Sequence, residues 1–300
     1  PFFSYVFPHT AKNLETYRYR MLEAAKANAA KNGYQGAQYP WESADDGTEQ
    51  CPDWTIEPDG TCYRCYVAVY EHHVTAAVAY GIYNYVRITH DTEFLLHKGA
   101  EILIETARFW KSRLQYIKEN DRYEIHRVTG PDEWHEPVDN NVYTNYLARW
   151  NLRYVTVLTE MLSREYPQEY TALVEKLGLT EEEIADWDAV AAKVYLPRKE
   201  GTQLLEQFEG YFDLKEAVIE KYDSNDWPIR PEILNTTKKC ETQIIKQADV
   251  VMLLHLMGQE FDEETTKLNY SYYEKRTLHG SSLSPSIYSI MGLKVGDDSK

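Results

Sequence analysis

Carboxylate, amide and aromatic side chains are concentrated in one short segment of the chain, residues 129–145. The segment reads TGPDEWHEPVDNNVYTN, with a Gly-Pro-Asp turn directly before Glu133. Proline fixes φ and aspartate can cap a following helix, so this turn predicts that Glu133 is presented at the end of an element. A carboxyl group held in this way can donate a proton to a leaving group.

The two residues after Glu133 suit this acid chemistry. Trp134 would supply an apolar wall and His135 a hydrogen-bonding tip, and such surroundings keep a carboxyl group protonated near neutral pH. Cleavage of a glycosidic bond needs a proton donor of this kind, so the segment predicts a sugar-cleaving site with Glu133 as its general acid. An ordinary helix start is the alternative, because acidic and amide residues near a Gly-Pro turn are common N-caps.

The segment resembles the signature around the general acid of glycoside hydrolase family 65, the group of maltose, kojibiose, nigerose, trehalose and glucosylglycerol phosphorylases. That signature reads approximately GPDE, an aromatic residue and His, followed by NN-x-YTN, and every one of these positions is filled. Four further blocks are similar to the family in the right order: residues 34–49, 105–110, 246–250 and 277–285. Five ordered blocks over nearly the whole chain make the resemblance specific, although each block alone is weak.

The resemblance implies that four residues in other blocks bind the sugar. Lys246 and Gln247 match the pair that binds hydroxyls of the transferred glucose, and Trp41 and Glu42 match positions that contact the sugar donor or the acceptor. The residue types agree, since indole offers a flat apolar face to a sugar ring and a carboxylate accepts hydrogen bonds from hydroxyls. Ordinary roles stay open, with the tryptophan in a core and the Lys-Gln pair on the solvent face of an otherwise apolar helix.

A serine-rich loop is the predicted phosphate site. Ser281 and Ser282 precede a helical segment, where hydroxyls and backbone N–H groups can face an anion, although an ordinary helix start has the same sequence. The resemblance implies the phosphate role, since the family's phosphorylases bind phosphate with this loop and with a histidine from a block beyond this chain. His135, Asn141 and Tyr143 are interpreted as further substrate-site candidates that support Glu133.

Helical periodicity dominates the sequence and predicts a mainly helical fold. Helices are predicted over residues 9–32, 66–89, 91–117, 138–164, 167–177, 180–194, 241–257, 260–275 and 283–292. Short strands are predicted near 122–127 and 203–212, and the segments 51–65 and 197–238 are expected to be irregular. The resemblance implies an (α/α)6 barrel, two rings of six helices with the site at one end. No fixed repeat of a TPR or HEAT solenoid is visible.

Length and charge limit the classes of protein and partner. The 300 residues, 43% of them apolar, can bury the large core of one catalytic domain. A formal net charge of −16 argues against binding to nucleic acid or to anionic lipid. No apolar run approaches the roughly 18 residues of a membrane span, and no secretory signal is visible, so a soluble, cytoplasmic protein is expected.

The chain begins with Pro rather than Met, inside what resembles a family motif. It is therefore expected to be a piece of a longer protein, with residues 1–300 forming most of a barrel domain. The resemblance implies that an N-terminal β-sandwich, the first barrel helices and a C-terminal tail are absent.

Cysteine spacing gives little support for a metal site. Cys62 and Cys65 form a C-x-x-C pair, but Cys51 and Cys240 do not supply the second pair that a zinc site needs. Free thiols in a reducing compartment are expected. We therefore predict no metal and no organic cofactor, with inorganic phosphate as a co-substrate.

The predicted reaction is inverting phosphorolysis of an α-glucoside, a glycosyltransferase-type reaction that releases β-D-glucose 1-phosphate and the free acceptor. Overall similarity favours the kojibiose and glucosylglycerol branch, and hence an α-1,2-type glucoside. The alternatives are a hydrolase of the same family with a water-activating carboxylate, a non-catalytic carbohydrate-binding helical module, and a metal-dependent enzyme. Dimers are common in the family, although the sequence itself shows no interface.

Overall fold

A computed structural model describes residues 2–56 and 60–297 of the chain. These residues form two compact units. The first unit contains the described residues up to Glu124 together with Leu147–Val194, and the second contains Ile125–Tyr146 together with the described residues from Tyr195 onward. Within the described residues, no helix has the length and apolar character that crossing a membrane requires.

Helices make up most of the first unit. In chain order they are α1 (Phe2–Val6), α2 (Pro8–Arg20), α3 (Leu22–Lys31), α4 (Val67–Tyr70), α5 (His73–Thr89), α6 (Thr92–Phe94), α7 (Ala100–Arg113), the part of α8 (Val142–Glu165) from Leu147 onward, α9 (Pro167–Leu177) and α10 (Glu181–Ala192). A π-helical turn, Leu95–Gly99, joins α6 to α7. The unit also holds two antiparallel strand pairs, β1 (Trp54–Ile56) with β2 (Cys62–Arg64), and β3 (Gln115–Ile117) with β4 (Arg122–Glu124).

The core of the first unit surrounds α7. Ile102, Leu103, Ile104, Phe109 and Trp110 of this helix are fully buried. A helix that is apolar around most of its circumference must be covered on most sides, so α7 lies inside the unit and not on its surface.

The loop after α3 packs directly on α7. The Ala37 N–H donates to the carbonyl oxygen of Glu105 at 2.9 Å. A Cβ atom on Gly36, whose φ is +67°, would lie 2.1 Å from the same oxygen. The approach therefore requires glycine, and it fixes the beginning of the segment 37–49 against the core.

The second unit has fewer helices and longer irregular segments. Its helices are the first turn of α8, then α11 (Val250–Leu256), α12 (Glu263–Glu274) and α13 (Ser284–Val295), with 3-10 turns at Tyr211–Asp213, Glu232–Asn235 and Lys239–Glu241. The apolar side chains of α11 are the centre of its core, and four of them are fully buried: Val250, Val251, Leu253 and Leu254.

The mainly helical fold class predicted from the sequence is confirmed, but one predicted helix begins much later than expected. The prediction places a helix over residues 241–257, whereas α11 begins only at Val250. The preceding backbone is extended because the Ile245 N–H donates to the Arg276 carbonyl at 2.8 Å and the Leu278 N–H donates to the Ile245 carbonyl at 3.0 Å. Lys246 and Gln247 therefore lie in a bend before α11, and the helix face considered for them was wrong.

Three other predicted helices are interrupted. The helix predicted over 66–89 is divided into α4 and α5 at Glu71 and His72. The helix predicted over 9–32 is divided into α2 and α3 at Met21, which ends α2 with φ −92° and ψ 7°. The helix predicted over 91–117 contains the π-helical turn and ends at Arg113, after which β3 begins. The helix predicted over 138–164 is present as α8, but it begins at Val142.

The strand predictions are partly right. The strand near 122–127 is confirmed as β4, whereas residues 203–212 form no strand, because they enter a 3-10 turn after Gly210, whose φ is +88°. The segment 51–65, expected to be irregular, contains the antiparallel pair of β1 and β2. Residues 57–59 of this segment lie outside the described residues.

Candidate active site

A buried aspartate organises the loop of residues 129–137, the acid loop, in the second unit. Asp132 Oδ1 accepts hydrogen bonds from the backbone N–H of Lys246 at 2.9 Å and of Trp134 at 3.3 Å. Its Oδ2 lies 2.6 Å from His135 Nδ1 and accepts from Gln207 Nε2 at 3.0 Å. The predicted helix cap is therefore wrong, because this carboxylate connects the loop to two other segments instead.

His135 supports this aspartate from inside the unit. Its Nδ1 and Nε2 face two acceptors, the Asp132 carboxylate and the carbonyl oxygen of Thr242 at 2.9 Å, and a ring that donates from both nitrogens is an imidazolium. Burial is the largest influence and lowers the pKa of His135, but the charge and hydrogen bond of Asp132 outweigh it and raise this pKa overall. Because the residue is 2% exposed, its contacts favour support of Asp132 over contact with a substrate.

Glu133 is partly exposed and lies beside two other predicted site residues. Its Oε2 is 2.6 Å from Lys246 Nζ, and its Oε1 accepts from Gln247 Nε2 at 3.3 Å. Gln247 also donates to the Pro131 carbonyl oxygen. About a quarter of the side-chain surface remains exposed for Glu133 and Lys246, 27% and 24%. The structure thus brings a carboxyl group, an ammonium group and an amide together where a ligand can reach them.

Trp134 packs on a small hydrophobic cluster of the same unit. The buried members of this cluster are Ile219, Leu234 and Ile244. Lys239 Nζ lies 5.4 Å from the centre of the indole ring. The apolar wall that we expect Trp134 to give Glu133 stays a prediction.

Two buried polar side chains lie against the beginning of the acid loop. Asn141 Oδ1 accepts from the N–H of Thr144 at 2.9 Å and caps the first turn of α8, while its Nδ2 donates to Asp249 Oδ2 at 3.0 Å. Burial, and next the charge of Asp132, raises the pKa of Asp249 to about 8. Tyr143 is also buried in this first turn. Asn141 and Tyr143 therefore lie where they can support the loop.

Gly130 fits tightly between these side chains. A Cβ atom there would lie 2.3 Å from Asn141 Nδ2 and 2.5 Å from Asp249 Oδ2. Real Cβ atoms do not approach other atoms so closely, so the first position of the GPDE motif requires glycine for reasons of space. The sequence pattern marked this glycine as a turn residue, and the structure adds a packing reason.

The predicted phosphate loop is the serine loop of residues 277–285. It runs along the segment that contains Lys246. The Gly280 N–H donates to the Lys246 carbonyl oxygen at 2.8 Å, and Ser281 Oγ accepts from the Leu283 N–H at 3.4 Å. Ser281 is partly buried and Ser282 is exposed. The structure therefore places the serine loop beside Lys246, whose ammonium group contacts Glu133.

Ser284, which our sequence analysis did not single out, fixes this loop. It is 2% exposed, and its Oγ accepts from the Ala248 N–H at 3.1 Å and lies 3.0 Å from His279 Nδ1. The third serine of the SSLS run, directly before a proline at a helix start, was the available signal. Ser284 joins the serine loop to the first residues before α11.

Trp41 and Glu42 lie in the first unit, and a glutamate that the sequence analysis missed holds their backbone. Glu49 accepts from the N–H groups of Trp41 at 2.7 Å, Glu42 at 3.0 Å and Cys51 at 2.9 Å. The Trp41 ring is partly exposed and Glu42 is exposed, so both are available to a ligand. Their membership of the same substrate site as Glu133 stays a prediction.

Metal-ligating side chains do not gather anywhere in the described parts of the chain. Residues 2–56 and 60–297 hold no group of three or more His, Cys, Asp or Glu side chains that could bind a metal ion. The sulfur atoms of Cys51 and Cys65 lie 3.7 Å apart, and both are thiols.

Known proteins resemble this chain over its whole length. The family description "Glycosyl hydrolase family 65 central catalytic domain" matches residues 1–300. Kojibiose phosphorylases of Thermoanaerobacter brockii and Caldanaerobacter subterraneus subsp. tengcongensis are 57% and 55% identical over 297 residues, which are 99% of this chain and 38% of each relative. The chain thus spans well under half the length of these relatives.

A solved structure from the human microbiome, proposed to be a kojibiose phosphorylase, has the same fold. It matches 99% of this chain and 37% of its own length, with a TM-score of 0.83 and 32% identity. This likeness confirms the predicted mainly helical fold class.

Proposed function

The chain belongs to glycosyl hydrolase family 65, and from this premise we propose that it is the main part of the catalytic domain of an α-glucoside phosphorylase. The observation that carries the proposal is the contact of Glu133 with Lys246 and Gln247, next to the serine loop. One partly exposed group of side chains thus offers a proton donor, donors for sugar hydroxyls and a loop suited to an anion. The remaining length of the relatives would supply an N-terminal β-sandwich, the first barrel helices and a C-terminal tail.

The proposed reaction is an inverting displacement at the anomeric carbon. Glu133 gives its proton to the departing glycosidic oxygen, and an oxygen of inorganic phosphate attacks the opposite face of the sugar. The bond to the acceptor breaks as the bond to phosphate forms, so β-D-glucose 1-phosphate and the free acceptor are released. The reaction transfers a glucosyl group without any metal ion or organic cofactor.

Each further site residue has a defined part in this proposal. Lys246 and Gln247 bind hydroxyls of the transferred glucose, and Trp41 and Glu42 contact the donor or the acceptor sugar. Ser281 and Ser282, with the N–H groups that precede α13, hold the phosphate. His135, Asn141 and Tyr143 are buried and support Glu133 from behind.

Kojibiose is the favoured substrate, since both named relatives above 50% identity are kojibiose phosphorylases. An α-1,2-linked glucoside would then be cleaved to β-D-glucose 1-phosphate and glucose. The same linkage chemistry leaves glucosylglycerol as the next candidate.

Proton NMR of the intact protein with kojibiose, glucosylglycerol, maltose, nigerose and trehalose, with and without inorganic phosphate, tests the proposal. We expect β-D-glucose 1-phosphate to appear only with phosphate, and fastest with kojibiose. Glucose released at the same rate without phosphate would identify a hydrolase instead. Absence of turnover on every sugar would favour a carbohydrate-binding module.

A further inference from the structure

We propose that Asp132 is a positioning residue. From the buried side, it holds the general acid Glu133 and the sugar-binding residue Lys246 in the geometry that the reaction needs. This inference rests on the proposed function, in which Glu133 protonates the leaving oxygen. Asp132 itself does not touch the substrate in this proposal, because its side chain is fully buried.

Three hydrogen bonds, two of them buried and one partly buried, join the acid loop to the segment 242–249. His135 Nε2 donates to the Thr242 carbonyl oxygen at 2.9 Å, the Lys246 N–H donates to Asp132 Oδ1 at 2.9 Å, and the Asp132 N–H donates to Asp249 Oδ2 at 3.3 Å. These bonds lie at the beginning, middle and end of the segment. They fix the two backbones that carry Glu133 and Lys246.

The contact between the Glu133 and Lys246 side chains lies on the exposed side of these hydrogen bonds. Glu133 directly follows Asp132 in the chain, and the N–H of Lys246 is bound by Asp132 itself. The 2.6 Å distance between the two side chains therefore depends on where Asp132 holds both backbones. Misplacement of a reacting group by about 1 Å can cost about 10²-fold in rate, so a small shift at Asp132 should reach the chemistry.

A carboxylate is the only side chain of this size that suits the position. Four donors converge on Asp132, the N–H groups of Trp134 and Lys246, the His135 ring and the Gln207 amide. A carboxylate has acceptors only, and its bonds from an imidazolium are charge-assisted. An asparagine would turn its own NH₂ group towards another donor, so Asp132→Asn changes the hydrogen bonds while it keeps the shape.

The test compares two leaving groups in the intact protein. Kojibiose releases a poor leaving group that needs a proton, whereas 4-nitrophenyl α-glucoside releases a phenolate that needs little help from an acid. For Asp132→Asn we expect kcat on kojibiose to fall about 10²-fold and kcat on the aryl glucoside to fall by less than about tenfold, with little change in KM. Glu133→Gln gives the reference pattern for loss of the acid itself.

A paired variant separates positioning from folding. In Asp132→Asn/Gln207→Glu, the new carboxylate at position 207 can accept from the new amide at position 132, and neutral His135 can accept at Nδ1. We expect kcat on kojibiose to be at least about tenfold higher in this pair than in Asp132→Asn. A double-mutant cycle that includes Gln207→Glu measures this recovery. Asp139→Asn is the matched control, since Asp139 is an exposed aspartate of the same segment that accepts the Arg127 N–H at 2.8 Å.

Each outcome supports or overturns the inference. Equal losses on the two substrates for Asp132→Asn would mean that the residue serves stability alone. If Asp132→Asn does not fold, the paired variant decides in its place, and equal activity losses on both substrates there would overturn the inference. Absence of any leaving-group dependence in Glu133→Gln would instead reject the proposed function.

Discussion

Glu133 combines two properties that a proton donor needs, a fixed position and access to a ligand. It is held by Lys246 and Gln247, and 27% of its side chain remains exposed. We expect Glu133→Gln to reduce kcat on kojibiose by about 10² to 10⁴-fold, because the amide keeps the shape but cannot donate the proton. Substrate binding should persist, which titration calorimetry with kojibiose can measure beside steady-state rates.

The matched control for this substitution is Glu136→Gln. Glu136 is a second carboxyl group of the acid loop, where its Oε2 accepts from Thr129 Oγ1 at 3.2 Å. We expect this variant to retain most of its activity. A larger loss for Glu136→Gln than for Glu133→Gln would move the acid role to Glu136.

Asp249 predicts a dependence of stability on pH. Burial raises its pKa from 3.8 to about 8, so the folded protein keeps a proton that the unfolded chain releases between these values. Its contribution to stability is fully present below about pH 4 and is lost as the pH rises through about 8. In Asp249→Asn, which cannot ionise, the free energy of unfolding should fall less between about pH 5 and pH 8.

Urea unfolding of the intact protein at several pH values measures this difference. The amide oxygen of Asp249→Asn can still accept from Asn141 Nδ2 and from the Asp132 N–H, which both bond to Oδ2 in the native protein. Identical slopes for Asp249→Asn and the native protein would show that Asp249 is ionised when folded.

At the scale of elements, one carboxylate shapes the loop that follows α3. Glu49 accepts three backbone N–H groups, including those of Trp41 and Glu42. Glu49→Ala leaves these donors without their partner, and hydrogen bonds to charged groups contribute about 1.5 to 3 kcal/mol each. If Trp41 and Glu42 bind sugar, KM for kojibiose should rise about tenfold or more, with a smaller change in kcat.

The control for this loop is Asp46→Ala. Asp46 accepts from the N–H and the hydroxyl group of Thr48, at 2.9 and 2.7 Å, but does not bond to Trp41 or Glu42. Steady-state kinetics of both variants distinguish a specific effect from general loosening of the loop. An equal rise in KM for the two variants would contradict the specific role of Glu49.

The elements also explain which parts of the site can be predicted from sequence. The acid, the Lys-Gln pair and the serine loop each lie in a recognisable block, and the structure brings these blocks together. Asp132 is in the motif too, but its partners Lys246 and Gln207 are 114 and 75 residues away, and no local pattern encodes such contacts. Gln207 lies in the stretch 203–212, which was predicted to be a strand, and no local signal marks it as a partner of Asp132.

Helix boundaries failed for a similar reason. The run of apolar residues around Ile244 and Val250 has helical spacing, but Ile245 pairs with Thr277 as an isolated parallel bridge. This tertiary pairing overrides the local helix propensity, so α11 begins only at Val250. Glu49, in contrast, stands inside a recognised block, and only the three N–H groups around it reveal its role.

At the scale of the whole molecule, the cysteine spacing and the proposed reaction predict independence from metal ions. The described residues contain no group of three or more potential ligands, and the proposed reaction needs only a proton donor and phosphate. We therefore expect full activity after dialysis of the intact protein against EDTA. A loss that one divalent cation restores would contradict the proposed reaction.

The net charge of −16 affects how the whole molecule can bind phosphate. An acidic protein repels phosphate at long range, so local donors must offset that repulsion at the site. The N–H groups before α13 are such donors at the proposed phosphate site. The proposed reaction therefore depends on these donors for phosphate binding.

The contact between Lys246 and Glu133 means that, before a sugar binds, the Lys246 ammonium group is already engaged by the Glu133 side chain. A sugar hydroxyl that engages the ammonium group must compete with the carboxyl group of Glu133, which is tethered to the neighbouring loop and has a high effective concentration. Sugar binding in the proposed reaction is therefore an exchange, and affinity reflects the difference between two contacts. Small polyols and water, which replace the carboxylate poorly, are the ligands that such an exchange discriminates against.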